Sequence, residues 1–237
     1  MWKGDPLLFC HIPKCAGTSF RSVVEAEYRD NQRLFWYPGP DGDVDAQRAQ
    51  LAEAFHRNRP AIRIVYGHFS FGLHQTLDTP PIYATILRDP VERVVSLYHH
   101  VGRTPRSPLF ALVKEGLSLT QFVAGRYTEM TNNQMTRILA GIKTRPGEIV
   151  DSREAIQRAK ENVEKYFGVI GTVEEMSDVV RVIGNRSGWR RHQIPNLNVT
   201  TQPRAWLEKE TLGVVEEYNH LDRELYEWVR TRSIADK

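Results

Sequence analysis

The stretch LLFCHIPKCAGTSF, residues 7–20, decides the fold, because an apolar strand pattern passes through a short polar loop into a helix pattern. A strand that stops at a glycine-containing turn and continues as a helix directs backbone N–H groups and the positive end of the helix dipole at one point. Lys14 adds a positive charge there, and the hydroxyls of Thr18 and Ser19 add donors in the first helical turn. The stretch therefore predicts a phosphate-binding loop.

The order of residues in this loop differs from the usual nucleoside-triphosphate loop, G-x-x-x-x-G-K-[ST]. In that loop the lysine follows the second glycine, and the next hydroxyl holds magnesium. Here Lys14 precedes Gly17 by three positions, so the geometry at the anion must differ. From the loop alone, a strand–turn–helix corner with a solvated lysine is as good an interpretation as a binding site.

The composition predicts one α/β domain over residues 1–237. The chain is 41% hydrophobic and 26% charged, which is ordinary for a globular protein and argues against disorder. It has no run of about 18 apolar residues and no apolar signal segment at its start, so we expect no membrane span and a soluble, cytoplasmic protein. The net charge of +3 is too small to indicate a nucleic-acid partner, and the sequence gives no indication of the oligomeric state.

A second informative stretch, RDPVERVVS, starts at Arg88 and follows the strand pattern IYATIL. Asp89 can cap a helix, Pro90 suits its first turn, and Glu92 completes a pattern like a capping box. The helix cap and the valines that the spacing predicts on the buried face of this helix do not require Arg88 or Ser96. A guanidinium binds phosphate oxygens in a two-pronged geometry that lysine cannot match, which makes Arg88 a candidate phosphate ligand.

His68 ends another strand pattern, IRIVYGH. In an open parallel sheet, ligands bind outside the carboxyl ends of the strands, so we expect His68 on the same edge as Lys14. A histidine there can act as a general base, because its ordinary pKa lies near neutral pH. For a lone histidine, a hydrogen bond to a backbone carbonyl is the simpler interpretation.

Together these stretches resemble the signatures of sulfotransferases that use 3'-phosphoadenosine 5'-phosphosulfate (PAPS), particularly the carbohydrate branch with the heparan sulfate 2-O- and 6-O-sulfotransferases and bacterial relatives. The resemblance runs from Phe9 to Trp228. It implies the P-loop-NTPase-like sulfotransferase fold, a three-layer α/β sandwich with a central parallel sheet. The alternation of strands and helices independently predicts a parallel-sheet α/β sandwich. It implies metal-free transfer of a sulfuryl group to an acceptor hydroxyl, with adenosine 3',5'-bisphosphate (PAP) as product.

The resemblance also implies roles for particular residues. The donor-binding loop would consist of Lys14, Cys15, Ala16, Gly17, Thr18 and Ser19, where Cys15 stands in place of the more usual hydroxyl. Arg88 and Ser96 would bind the 3'-phosphate, and Thr200 is a weaker match for the same role. His68 would deprotonate the acceptor, and Lys14 would stabilise the departing phosphate.

The carbohydrate branch implies a carbohydrate or glycoconjugate hydroxyl as acceptor, and a lipid-linked sugar or a small alcohol fits the motifs as well. The segment TNNQMTRIL resembles a family segment near the acceptor, so Asn133 and Arg137 are candidate contacts, although a helix cap and an ion pair explain them equally well. Trp36 and Tyr37 lie in a predicted loop, residues 34–45. Their rings could stack on a sugar, but covering the edge of the core is the simpler interpretation.

The two cysteines and the arginines each have alternative interpretations. Cys10 fits a small buried apolar residue, and Cys15 lies beside Lys14 at a helix start, where its pKa could be lowered. The stretch 179–207 holds five arginines and no acidic residue, which suits a polyanionic ligand or a solvated basic face.

Two other functions stay open at this point. A variant P-loop kinase or nucleotidase would need magnesium and a carboxylate, for which Asp89 is the candidate. A non-catalytic polyanion-binding module would use the arginine-rich stretch.

Overall fold

A computed structural model of the chain describes residues 5–38, 44–190, 207–232 and 234. Its strands are β1 (Leu7–Cys10), β2 (Arg33–Trp36), β3 (Ile64–Gly67), β4 (Tyr83–Leu87) and β5 (Phe167–Thr172). In this described part they form one five-stranded sheet in the order β2-β3-β1-β4-β5, and every neighbouring pair is parallel. β1, which carries the phosphate-loop stretch, therefore lies in the middle, with β3 and β4 on either side.

Helices connect the strands and close the chain. The first six are α1 (Gly17–Glu27), α2 (Val44–Asn58), α3 (Leu73–Leu77), α4 (Pro90–Val101), α5 (Phe110–Lys114) and α6 (Leu119–Ala124). The later ones are α7 (Gln134–Ala140), α8 (Arg153–Tyr166), α9 (Met176–Ser187), α10 (Lys209–Tyr218) and α11 (His220–Arg230). Short 3-10 turns occur at Asp30–Gln32 and Glu129–Thr131.

Both faces of the sheet are buried under helices. Successive strand residues point to opposite sides, so each strand contributes side chains to both faces. Leu8 and Cys10 pack in a cluster with α2, α3, α7, α8 and α11. Leu7 and Phe9 pack in a second cluster with α1 and α9. These two clusters with the sheet between them confirm the predicted three-layer α/β architecture. A third cluster joins α4, α6 and α10 beside the sheet.

The predicted loop over residues 34–45 is wrong in its first part, where β2 pairs with β3 at the sheet edge. Trp36 ends this strand and is only 8% exposed. Its ring stacks on Phe69, with the centroids 6.4 Å apart. The prolines and glycines that interrupt the apolar pattern follow Trp36, and they hid a short edge strand.

In the part of the chain that the structure describes, no helix is both long and apolar enough to cross a membrane.

Candidate active site

Three strand ends bring the predicted groups to one edge of the sheet. β1 leads into the loop that carries Lys14, β3 ends next to His68, and β4 ends next to Arg88. Because Cys10 pairs with Gly67 across β1 and β3, the following residues His11 and His68 come side by side. The Arg88 guanidinium donates to the Lys14 carbonyl at 3.4 Å, which ties the end of β4 to the loop.

The loop between β1 and α1 has an unusual backbone. Lys14 and Ala16 have φ angles of 69° and 56°, in the left-handed region that residues with a side chain seldom adopt. Each such residue costs about 1–2 kcal/mol, so the surrounding structure must hold the loop in this shape. The loop ends at the start of α1, where the first N–H groups of a helix have no acceptor within the helix. The backbone is thus shaped before any anion binds.

Gly17 is required by close packing rather than by its φ angle. A Cβ at this position would lie 1.6 Å from Nε2 of His11. The Tyr66 hydroxyl donates to the Gly17 carbonyl at 2.7 Å, and the Tyr66 ring stacks on the His11 ring. Gly17 therefore lets the start of α1 approach the strand ends, with the His11 ring between them.

The Cys15 thiol is buried, although its neighbours in the sequence suggest a reactive position at a helix start. Its side chain is 2% exposed and belongs to a core cluster. Burial raises the pKa of the thiol to about 12, which makes the expectation of a lowered pKa wrong. Its N–H donates to the Ile12 carbonyl within the loop. The thiol thus faces the core, whereas Thr18 and Ser19 lie at the surface of the first turn of α1.

His68 belongs to an aromatic cluster at the sheet edge. Its ring centroid lies 4.6 Å from that of His11 and 4.7 Å from that of Tyr37. Burial lowers the pKa of His68 to about 4, so the imidazole is neutral near pH 7, the form that a general base requires. Among the described residues, Nε2 of His68 and Nδ1 of His11 are buried without a hydrogen-bond partner.

His11 is a site residue that the sequence reasoning missed. Burial lowers its pKa to about 3, and repulsion from the protonated form of His68 and from Lys14 adds to this effect. The signal that could have identified it is its position one residue after β1, equivalent to the position of His68 after β3.

Tyr37, the second aromatic residue predicted to stack on a sugar, lies beside His68. Side chains alternate along a strand, so Trp36 points into the core while Tyr37 is 38% exposed beside His68. The predicted contact between Trp36 and a sugar is thus not supported by the structure.

A cationic cavity of about 140 Å³ lies on the other side of the loop. It is lined by Lys14, Arg88, Glu92, Val95, Ser96, His99, His100 and Arg103. Arg88 pairs with Glu92 at 3.3 Å. Burial lowers the pKa of Lys14, and the charges of Arg88 and Arg103 lower it further. The structure thus gathers Lys14, Arg88 and Ser96 around one cavity, where their charges and hydroxyl suit a phosphate group.

Asp89 is the helix cap that the sequence predicts. Its Oδ1 accepts from the N–H groups of Val91 and Glu92, and its Oδ2 accepts from Arg223 at 2.7 Å. The carboxylate that a kinase would need for magnesium thus stabilises the start of α4 instead.

Asn133 and Arg137 are buried in a network that joins α7 to the start of α11. The Asn133 amide donates to the Val150 carbonyl, and its oxygen accepts from the N–H groups of Leu221 and Asp222. Arg137 donates to the carbonyl of Asn132 and to partners at Glu129 and Thr144. These bonds give both side chains a structural role, and their predicted contact with an acceptor is not supported. Thr200 lies outside the described residues.

Comparison with known proteins indicates the family of the chain. A family model described as the sulfotransferase family matches residues 1–228. The chain is 24% identical over 263 residues to heparan sulfate 2-O-sulfotransferase 1 of Xenopus laevis, covering 98% of this chain and 73% of that protein. It is 30% identical over 121 residues to uronyl 2-sulfotransferase of Homo sapiens, covering 44% of this chain and 28% of that one.

Among solved structures, mouse sulfotransferase SULT7A1 complexed with PAP aligns with a TM-score of 0.49 and 14% identity. That alignment covers 91% of this chain and 65% of the mouse chain. The relatives named here from the curated proteins are carbohydrate sulfotransferases, which agrees with the branch that the motifs predict. The match over residues 1–228 shows that the chain belongs to the sulfotransferase family.

Proposed function

We propose that this protein transfers a sulfuryl group from PAPS to a saccharide hydroxyl, with His68 as the general base. The observation that carries the proposal is the arrangement along one sheet edge. The strained loop with Lys14 lies between a neutral, buried imidazole and a cavity that holds Arg88 and Ser96. An acceptor hydroxyl at His68 and a nucleotide phosphate in the cavity would thus meet at the loop.

Each side chain would meet one requirement of the reaction. The acceptor oxygen forms a bond to sulfur while the bond between sulfur and the 5'-phosphate oxygen breaks, and the acceptor proton passes to His68. Lys14 and the N–H groups at the start of α1 would stabilise the negative charge that develops on the departing phosphate. Arg88 and Ser96 would hold the 3'-phosphate and so fix the donor for in-line attack.

The surroundings of His68 support an anionic sugar as acceptor. The exposed Tyr37 ring offers an apolar face of the kind that packs against a sugar ring. The Arg21 guanidinium lies 5.6 Å from the Tyr37 ring centroid and also pairs with Glu25 at 2.8 Å. This places a positive charge near the proposed acceptor position. Two relatives carry names that refer to heparan sulfate and to uronyl groups, which agrees with an acidic polysaccharide.

Transfer of radiolabelled sulfate from PAPS to polysaccharides tests the proposal. We expect labelling of heparosan, a polymer with uronic acids, and much weaker labelling of dextran, which has no charge. His68→Gln should abolish most of the transfer, and His56→Gln, which changes an exposed histidine on α2, should leave it unchanged. A folded protein that labels neither polysaccharide would contradict the proposed acceptor class. An active His68→Gln variant would contradict the role of His68 as the base.

A further inference from the structure

One face of α4 carries more positive groups than the predicted 3'-phosphate ligands. His99 and His100 follow Ser96 by three and four positions, and Arg103 follows it by seven. Ser96, His99 and His100 therefore lie on one face of α4, and Arg103 lies two residues beyond the end of the helix. All of them line the cavity that also holds Lys14 and Arg88. The cationic face thus extends past Ser96 to the carboxyl end of α4.

The charges in this cavity favour a doubly charged anion. Lys14 comes from the loop, Arg88 directly follows β4 and Arg103 lies in the turn after α4. Glu92 is the carboxylate among the lining residues. The cavity therefore stays positive even when both histidines are neutral. Its volume of about 140 Å³ is several times the volume of a water molecule, so a phosphate group can fit between these side chains.

His100 lies in the last turn of α4 and is one of the two histidines that line this cavity. Burial lowers its pKa, and the charge of Lys14 lowers it further. Its Nδ1 lies 3.4 Å from the Thr104 hydroxyl, a contact that a neutral or a charged ring can make. A bound phosphate would offset the repulsion from Lys14 and would favour the charged imidazolium.

We propose that His100 and Arg103 complete the 3'-phosphate subsite, so that PAP and PAPS bind with uptake of a proton at His100. This inference rests on the proposed function, because the same cavity holds Arg88 and Ser96. A group that binds a proton more tightly in the complex than in the free protein strengthens ligand binding at low pH. This gain in affinity disappears as the pH rises through the pKa of the group in the complex. The contribution of His100 to the affinity for PAP should thus increase from pH 8 to pH 6.

Titration calorimetry with PAP and with AMP, at pH 6 and pH 8 and low salt, tests this inference. We expect His100→Gln to weaken PAP binding about tenfold at pH 6 and less than about twofold at pH 8, as for one charged hydrogen bond. Arg103→Gln should weaken PAP binding about tenfold at both pH values. AMP lacks the 3'-phosphate, so its affinity should change little in either variant.

Comparing each variant with the wild type at the same pH removes the titration of the phosphate itself. His56→Gln serves as the matched control, since it replaces an exposed histidine outside the cavity and should bind PAP like the wild type at both pH values. Equal effects of His100→Gln at both pH values, or equal effects on AMP and PAP, would overturn the inference. If Arg88→Ala loses PAP binding and Arg103→Gln binds PAP with wild-type affinity, this inference alone is overturned. If the wild-type protein does not bind PAP, the proposed function is overturned as well.

Discussion

Gly17→Ala tests whether the close contact between the loop and the strand ends organises the site. The added Cβ would lie 1.6 Å from His11 Nε2, far inside contact distance. The His11 ring cannot turn aside freely, because Tyr66 stacks on it and His68 lies 4.6 Å away. Overpacking of this kind typically costs about 1–3 kcal/mol, which exceeds the helix-propensity gain of up to about 1 kcal/mol from replacing glycine by alanine.

The matched control is Gly213→Ala in α10, where an added Cβ meets no atom within 4 Å. This substitution should gain about 0.5–1 kcal/mol, so the two alanine variants should move stability in opposite directions. For a chain of this size, 1 kcal/mol corresponds to a Tm change of about 2–4 °C, which thermal unfolding detects easily. Gly17→Ala should also weaken PAP binding, since relief of the overlap must shift the loop or the two imidazoles. A Gly17→Ala protein with wild-type Tm and PAP affinity would refute the reasoning.

Three further substitutions separate catalysis, charge stabilisation and structure. A general base must be unprotonated, and burial lowers the pKa of His68 to about 4, so turnover should stay level from pH 8 to pH 6 and fall as the pH approaches 4. His68→Gln should lower kcat by a factor of about 10²–10⁴. A fall in turnover centred near pH 6.5 would contradict this. Lys14→Ala should lower kcat about a hundredfold in steady-state assays, and a folded variant with most of its turnover would disprove the role of the charge. Asn133→Ala should destabilise the protein by about 1–3 kcal/mol in urea unfolding, because the N–H groups of Leu221 and Asp222 lose their acceptor; unchanged stability with a raised KM for the saccharide would instead restore its role as an acceptor contact.

Local patterns were sufficient for the centre of the fold. The stretch 7–20 predicted β1, the loop and α1, and the stretch that begins at Arg88 predicted the capped start of α4. These features depend on residues close together in the chain, so the sequence displays them directly. The co-occurrence of the two motifs also indicated the family, which the comparison over residues 1–228 shows.

The features that escaped prediction depend on distant contacts. The pairing of His11 with His68 follows from the register of β1 and β3, which the sequence does not state. Asn133 has a structural role because its hydrogen-bond donors lie at the start of α11, almost ninety residues later in the chain. β2 is a four-residue edge strand that pairs with β3, and local turn residues outweighed its short apolar pattern.

The same limit explains the error at Cys15. The nearby lysine and helix start suggested a lowered thiol pKa, but the left-handed backbone at Lys14 and Ala16 turns the thiol into the core. Desolvation then outweighs the nearby positive charges, so the pKa rises. The backbone conformation that caused this is set by the packing around the loop.

The most direct test of the central claim is thermal unfolding of the wild-type protein with PAP, beside AMP and beside ATP with magnesium. A ligand at about a hundred times its dissociation constant adds roughly 2.7 kcal/mol of stability, a shift of several degrees in Tm. We expect a large Tm increase with PAP and a smaller one with AMP. The increase with ATP and magnesium should not exceed the increase with AMP. Stabilisation by ATP and magnesium above that by PAP, or no response to PAP, would contradict it.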